Sequence, residues 1–410
     1  MNNWRFQTKA IHSGFDQDPA TGATALPIFQ TASFAHADAQ DLSDIFNGRK
    51  FGYSYSRIAN PTVTAFENHI TALENGLASV ALASGMGAIA STLLALLSAG
   101  DEIVASKSIF GGTYYLLKEF EETHQVKVHF VQPQEIEEFR KAVTEKTRLI
   151  FCETIGNPKL DVPDIQALAA IANEANIPLV VDSTTTTPYL FKAKDFGVSV
   201  VLHSATKWMS GSGSTIGGVV VDLGNFKWQT CKSPSVLAMS KKMGDLGFIA
   251  RCKKIRSNFG APLSPLSAFL LNLGLDTLVL RMDKQCENAL AFSKYFSGHS
   301  KIKELSYPGL PNNPFHDMAS KQFLKFGGLL TLRLGSKEAC FDFINKLKLI
   351  KNLANLGDAK TLIIHPDSTI YRDLSREEKD SAGAYEDLLR LSLGLEDIAD
   401  LIDDVEGALS

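Results

Sequence analysis

From residue 60 to residue 222 the apolar positions fall into two alternating patterns. Short apolar runs at 80–83, 102–105, 126–131, 149–153, 179–181, 198–202 and 219–221 have the length and composition of strands covered on both faces. Between them, stretches at 61–75, 88–97, 136–143 and 165–175, and one ending near 122, repeat at helical spacing. Alternation sustained over this length predicts an α/β fold with a mainly parallel central sheet covered by helices.

The pattern changes on either side. Residues 1–59 show no sustained period and carry turn pairs such as Ser13-Gly14 and Asp18-Pro19. A stretch this long without regular structure is unusual inside a compact domain. Its aromatics, from Trp4 to Tyr55, argue against disorder. It reads as an N-terminal arm contacting a neighbouring subunit, with 60–258 forming a large domain. Pro262 and Pro265 then lead into an apolar helix over 268–280, marking the entry to a smaller C-terminal α/β domain, 259–410. That domain carries predicted strands at 327–334, 361–364 and 388–393 and helices at 338–347 and from 396 onward, where Glu396 and Asp397 suit a first helical turn.

Composition narrows the class. A chain of 410 residues, 45% apolar and 21% charged, suits a globular protein with a large core. A net charge of −4 gives no basic footprint for nucleic acid. Five cysteines without paired spacing point to reduced thiols in a cytoplasmic protein rather than a disulfide framework or a metal site. Residues 1–10 hold no apolar leader pattern. Residues 75–100 are uncharged and long enough for a membrane span, but Gly, Ser and Ala dominate them and acids flank them, so strand, turn and helix is the reading and no membrane is expected.

Polar groups gather where the predicted strands end, which is where open α/β sheets place their sites. Lys207 follows the strand at 198–202 in Ser204-Ala205-Thr206-Lys207, ahead of a Gly/Ser turn. A lysine whose charged form is disfavoured can form a Schiff base with an aldehyde. Ser84-Gly85-Met86-Gly87 joins a strand to a helix N-terminus, which makes either an anion site or a plain tight turn. Asn157 and Asp182 end two further strands, and Arg390 stands amid leucines on a late one, sharing a face with Ser392. Such an arginine pairs with a structural acid or with a carboxylate ligand. Tyr55 and Arg57 would share a face of an extended segment, and both suit a phosphate; an ordinary surface arginine beside a core tyrosine is the plainer alternative.

Together these parts describe a pyridoxal 5'-phosphate (PLP) site. Lys207 would bind the aldehyde, and Ser204, Thr206 and the amides of Gly85 and Met86 the phosphate. Asp182 would face the ring nitrogen, Phe110 would stack on the ring, and Arg390 would clamp a substrate carboxylate.

The sequence resembles the Cys/Met-metabolism family of fold-type-I PLP enzymes, and within it the homoserine sulfhydrylases. The likeness runs from Thr8-Lys9-Ala10-Ile11-His12-Ser13-Gly14 to Leu391-Ser392-Leu393-Gly394-Leu395-Glu396-Asp397. Its motifs are Tyr55-Ser56-Arg57 with Asn60-Pro61-Thr62, Ser84-Gly85-Met86, Val181-Asp182-Ser183-Thr184 and Ser204-Ala205-Thr206-Lys207. The resemblance implies a homotetramer built as a dimer of dimers, with Tyr55 and Arg57 reaching the phosphate in the neighbouring subunit. It also implies that Asn157, Asn355 and Arg390 hold the substrate carboxylate or the ring oxygen; with no phenol at Phe110, Tyr55 reaching across the interface is the candidate auxiliary acid/base beside Lys207.

Departures from the family pattern bear on the reaction. Phe110 stands where most members have tyrosine; it keeps the stacking but donates no proton. Gly112 stands where methionine-cleaving members tend to have cysteine. Both favour a carboxylate leaving group over a thiolate, hence γ-replacement on an O-acylhomoserine, chiefly O-acetyl-L-homoserine, to give L-homocysteine in methionine biosynthesis. Ser54 and Lys360 stand where cystathionine-handling members tend to carry acids, which favours a small anionic sulfur donor, sulfide or a protein-bound carrier. Ser368-Thr369-Ile370-Tyr371 departs from a motif that usually ends in Thr-His, leaving the acyl pocket open. The alternatives are a cystathionine γ-synthase, a methionine or cystathionine γ-lyase, and a scaffold without chemistry. Gly211-Ser212-Gly213 is a poor dinucleotide fingerprint.

Overall fold

The computed structural model describes residues 4–410; the first three residues of the expected arm lie outside it. The larger sheet contains β1 (Ala78–Leu82), β2 (Glu102–Ser106), β3 (Lys127–Val131), β4 (Thr147–Glu153), β5 (Leu179–Asp182), β6 (Val200–His203) and β7 (Gly218–Asp222). They lie in the order β1-β7-β6-β5-β4-β2-β3. Pairings from β3 through β6 are parallel, and β7 runs antiparallel between β1 and β6. Successive strand residues feed opposite cores: Ile150 and Cys152 of β4 join one, Leu149 and Phe151 the other. That is why these strands read as solid apolar runs rather than as alternation.

The smaller sheet holds β8 (Glu304–Ser306), β9 (Leu329–Arg333), β10 (Lys351–Asn352), β11 (Leu362–Ile364) and β12 (Leu388–Ser392) in the order β10-β11-β12-β9-β8. All its pairings but β10–β11 are antiparallel.

Leu263, Ala268, Leu271 and Leu275 pack into the core of the larger sheet. The change of core falls inside the next helix, Leu278–Phe296: Leu278, Met282 and Cys286 face the larger sheet's core, and Ala289, Phe292 and Phe296 the smaller one's. Pro265 is the first residue of the helix Pro265–Asp276, capped by Ser264, so the proline signal near 259 marks a helix start and not a change of core. Among the described residues no single helix is long and apolar enough to cross a membrane. The uncharged stretch at 75–100 is β1 and the helix Gly85–Leu96.

The N-terminal region holds two helices that the aperiodic pattern hid. Phe6–His12 packs on the chain's own body, with Ala10 buried and the Phe6 ring 5.4 Å from that of Tyr189. Ala39–Phe46 buries no residue within the chain. Glu396 is not in the last helix: it turns back to accept from the Thr361 amide and hydroxyl at 2.6 and 2.8 Å, and Asp397 caps Ile398–Leu409.

The segment following β6 is held from behind by Arg281. Its guanidinium donates to the carbonyls of Trp208 (2.6 Å), Met209 (3.2 Å) and Gly274 (2.5 Å) and to Thr277 Oγ1 (3.1 Å), with no acid paired to it. Burial pushes it down to about 10. Replacing Arg281 with Met would leave these buried carbonyls without donors. The expected loss is roughly 2–4 kcal/mol of unfolding free energy by chemical denaturation, with the Trp208–Met209 segment loosened most.

Candidate active site

A cavity opens where β4, β5 and β6 end and the smaller sheet faces the larger. Its wall includes Gly85, Met86, Phe110, Asn157, Asp182, Ser204, Lys207, Asn355 and Arg390, all expected from the sequence. It also includes Glu153, which was not, and Thr184 and Ile370, which stand in sequence motifs without an expected role of their own.

The corner expected to take a phosphate is built by close backbone approach. Ser84 caps the helix Gly85–Leu96 by accepting the Gly87 amide at 3.0 Å. The amides of Gly85 and Met86 remain at the positive end of the helix. A Cβ on Gly85 would lie 2.5 Å from the Ser204 Cβ, so only glycine lets the helix start and the Ser204 turn meet. Two expected contacts are not placed in the wall. The Ser84 hydroxyl is spent on the cap, and the Thr206 hydroxyl exchanges hydrogen bonds with the Gly217 amide (3.0 Å) and carbonyl (3.2 Å). Thr206 instead lines an open cleft that shares Lys207 and Asn355 with the cavity.

Lys207 donates to Asn355 Oδ1 at 2.7 Å. Burial first, and the Arg390 charge second, push its amine down to about 8. Asp182 accepts the amide and hydroxyl of Thr184 on Oδ1 at 2.9 and 2.5 Å; burial raises its carboxyl. Thr184 Oγ1 in turn accepts the Ser204 amide at 2.8 Å, tying the end of β5 to that of β6.

Arg390 is buried in the middle of β12. It donates to Asn157 Oδ1 and to the Asn355 carbonyl, both at 3.0 Å, while its Nε has no partner. Burial pushes it down to about 10, and among the described residues no acid is paired with it. Asn157 is held by Tyr371, whose buried hydroxyl donates to the Asn157 carbonyl and to the Ile109 carbonyl at 3.2 Å. Tyr371 thus joins three loops around the cavity, a role with no signal in the sequence. Arg281 is equally invisible there. Glu153 carries a faint signal, an acid closing an apolar strand as Asp182 does.

Phe110 lies against Gly112: a Cβ at 112 would stand 2.6 Å from the Phe110 ring. The two departures from the family pattern are therefore one packing arrangement. Lys360 is exposed and outside the cavity wall, so the expectation that it screens the sulfur donor has no contact behind it. Tyr55 and Arg57 are not brought to this chain's cavity. Tyr55 is exposed, and Arg57 crosses its ring at 5.4 Å and donates to the Ser257 carbonyl at 2.7 Å.

A strand-end lysine of lowered basicity, a buried acid and a helix N-terminus round one cavity define a PLP-type site on an α/β frame. The family model for Cys/Met metabolism PLP-dependent enzymes matches residues 7–410. An O-acetyl-L-homoserine sulfhydrylase of Leptospira meyeri is 39% identical, over 99% of this chain and 97% of its own. An L-methionine gamma-lyase of Fusobacterium nucleatum subsp. nucleatum is 37% identical, over 98% of this chain and 97% of its own. A Campylobacter jejuni structure, provisionally named an O-acetylhomoserine (thiol)-lyase and holding N'-pyridoxyl-lysine-5'-monophosphate, superposes with a TM-score of 0.93. It is 30% identical, covering 99% of this chain and all of its own. The chain belongs to the Cys/Met-metabolism PLP-dependent enzymes.

The lowered basicity of Lys207 has a measurable consequence. Its amine is neutral, hence nucleophilic, above about pH 8. Incorporation of PLP into cofactor-free protein should quicken through that pH and run roughly tenfold slower one unit below it. An ordinary lysine would show this rise near pH 10.

Proposed function

We propose that the enzyme catalyses γ-replacement on an O-acyl-L-homoserine, chiefly the O-acetyl ester, with a sulfur donor such as sulfide, to give L-homocysteine and the carboxylate. The observation that carries this reading is Phe110 folded over Gly112 in the cavity wall: a phenyl ring offers no proton to a leaving group. A carboxylate departs from Cγ without one; a thiolate does so poorly. Sulfhydrylases among the relatives support the same direction.

The residues fit the cofactor. We assign the phosphate to the Gly85 and Met86 amides and Ser204, the ring nitrogen to Asp182, the ring face to Phe110 and the aldehyde to Lys207. Bound there, PLP supplies an electron sink for carbanion chemistry. Arg390, with Asn157 and Asn355 beside it, takes the substrate carboxylate and so satisfies its own charge. The freed Lys207 amine, neutral above about pH 8, would take the Cα proton, hand it to the conjugated system that PLP supplies and, neutral again, take a Cβ proton. The Cγ–O bond breaks with its electron pair leaving on the carboxylate; a Cγ–S bond forms from the donor's electron pair. Lys207 returns the protons to carbon.

We further propose a homotetramer, a dimer of dimers, in which Tyr55 and Arg57 complete the phosphate corner of the neighbouring subunit. Phe46, Phe51, Ile216 and Phe259 are exposed apolar side chains, and the helix Ala39–Phe46 has nothing to bury against in its own chain. Five free, buried cysteines suit a reducing cytoplasm.

Supplying O-acetylhomoserine and sulfide, with O-succinylhomoserine in parallel, should yield homocysteine, and Lys207→Ala should yield none. Mainly 2-oxobutanoate, or faster turnover of methionine or cystathionine, would replace this reading with a γ-lyase or a γ-synthase.

Shared sites predict complementation. Lys207→Ala and Arg57→Ala chains, each inactive alone, should on co-expression recover about a quarter of wild-type activity, since one site in each mixed pair is intact. Sites complete within one chain would recover nothing.

A further inference from the structure

One ionisable group in the cavity wall has no part in this chemistry. Glu153 ends β4 directly beside Asp182 at the end of β5, and the two are register partners on parallel strands. Both line the cavity, so their side chains share a face. Glu153 is buried and accepts the Phe110 amide on Oε1 at 2.7 Å, its one protein hydrogen bond among the described residues. Phe110 is the residue that caps the helix Gly111–His124 and presents its ring to the cavity.

Among the described residues no lysine or arginine is paired with either acid; His203 of β6 favours the charge on Asp182 and not on Glu153, and its Nε2 is paired with Glu74 at 2.6 Å. Arg390 is committed to Asn157 and Asn355, Lys207 to Asn355, and Lys159 lies 3.7 Å from Asp161. Two neighbouring buried carboxyls without a counter-charge do not both ionise. The hydrogen bonds decide which one does. Asp182 receives an amide and a hydroxyl on one oxygen, whereas Glu153 receives a single amide. The groups facing Glu153 are Asp182 from β5, Asp161 from the loop after β4, Tyr371 from the segment behind Ile370, and the Phe110 amide.

We infer that Glu153 is a positioning residue held as the neutral acid: its carbonyl oxygen fixes the Phe110 loop, and its lack of charge leaves Asp182 the single anion facing the cofactor's ring nitrogen. Burial, then the Asp182 charge, raises its carboxyl well above the usual carboxylate range, in the same direction. A second anion at this strand end would strengthen the hold on the ring-nitrogen proton and move the cofactor's titration. The inference goes beyond the choice of substrate: it concerns the cofactor, and it stands whether the enzyme replaces or eliminates.

The test uses holoenzyme with Glu153→Gln and Glu153→Ala. Glutamine keeps the shape, the carbonyl acceptor and the neutrality. Glu153→Gln should bind PLP within about threefold of wild type and leave the pH midpoint of the bound cofactor's visible band within about 0.3 of it. Glu153→Ala should release the Phe110 loop and weaken PLP roughly tenfold. The infrared difference between wild type and Glu153→Gln at neutral pH should contain a protonated-carboxyl C=O stretch, which needs no alanine variant to fold. Absence of that band, a shifted midpoint in Glu153→Gln, or glutamine as damaging as alanine would each overturn the inference.

Discussion

A guanidinium sealed from water with no acid to answer it is the constraint on which this site depends. Arg390 gives up its hydration and recovers only two hydrogen bonds, to Asn157 and Asn355, with Nε left over. Removing a charge from water costs several kcal/mol in a real protein interior. A leucine among the leucines of β12 would be more comfortable there. The proposed substrate carboxylate would give that charge its partner. The neighbours hold it in waiting: Tyr371 pins Asn157 by its backbone, and Asn355 holds Lys207 by its side-chain oxygen. The same cation lowers the basicity of Lys207. In the proposed function one unanswered charge thus serves both the recognition of a carboxylate and the amine that acts on its bearer.

The acids across the cavity follow the complementary rule. Asp182 and Glu153 end adjacent strands, and the surroundings provide enough donors for one charge. Phe110 belongs to both halves of this arrangement. Its amide leans on Glu153, and its ring lies in the space that Gly112 leaves empty. Substitution at any of the three would be felt by the other two, so the ring's position is a property of the group and not of Phe110 alone.

Much of this was legible from the chain because parallel strands buried on both faces are solid apolar runs, and each run closes at a strand end. Asp182, Ser204 and Lys207 could be placed in one cavity by that rule alone, and Gly85 by the helix that starts there. Contacts made by ordinary-looking residues across long separations were not legible. Tyr371 reaches the Asn157 carbonyl, and Arg281 reaches three carbonyls, with nothing local to announce either. The helix Phe6–His12 escaped because it is short and buries one residue, too little to set up a period. Pro265 misled because proline at the first turn of a helix and proline in a linker look alike in sequence. Ser84 and Thr206 have the right chemistry for a phosphate, but each hydroxyl is taken by a backbone group that needed it.

The helix Leu278–Phe296 carries its side chains into both cores, from successive turns of one rod. Near its start Arg281 grips the Lys207 segment; further along Gln285 donates to the Asp358 carbonyl, and Asn288 to those of Gly394 and Glu396. Neither core is closed until this helix is in place, and neither can open without withdrawing residues from the other. The two sheets are separate in topology but joined through this one rod, so a disturbance of the smaller sheet's core is passed by way of Arg281 to the Lys207 segment.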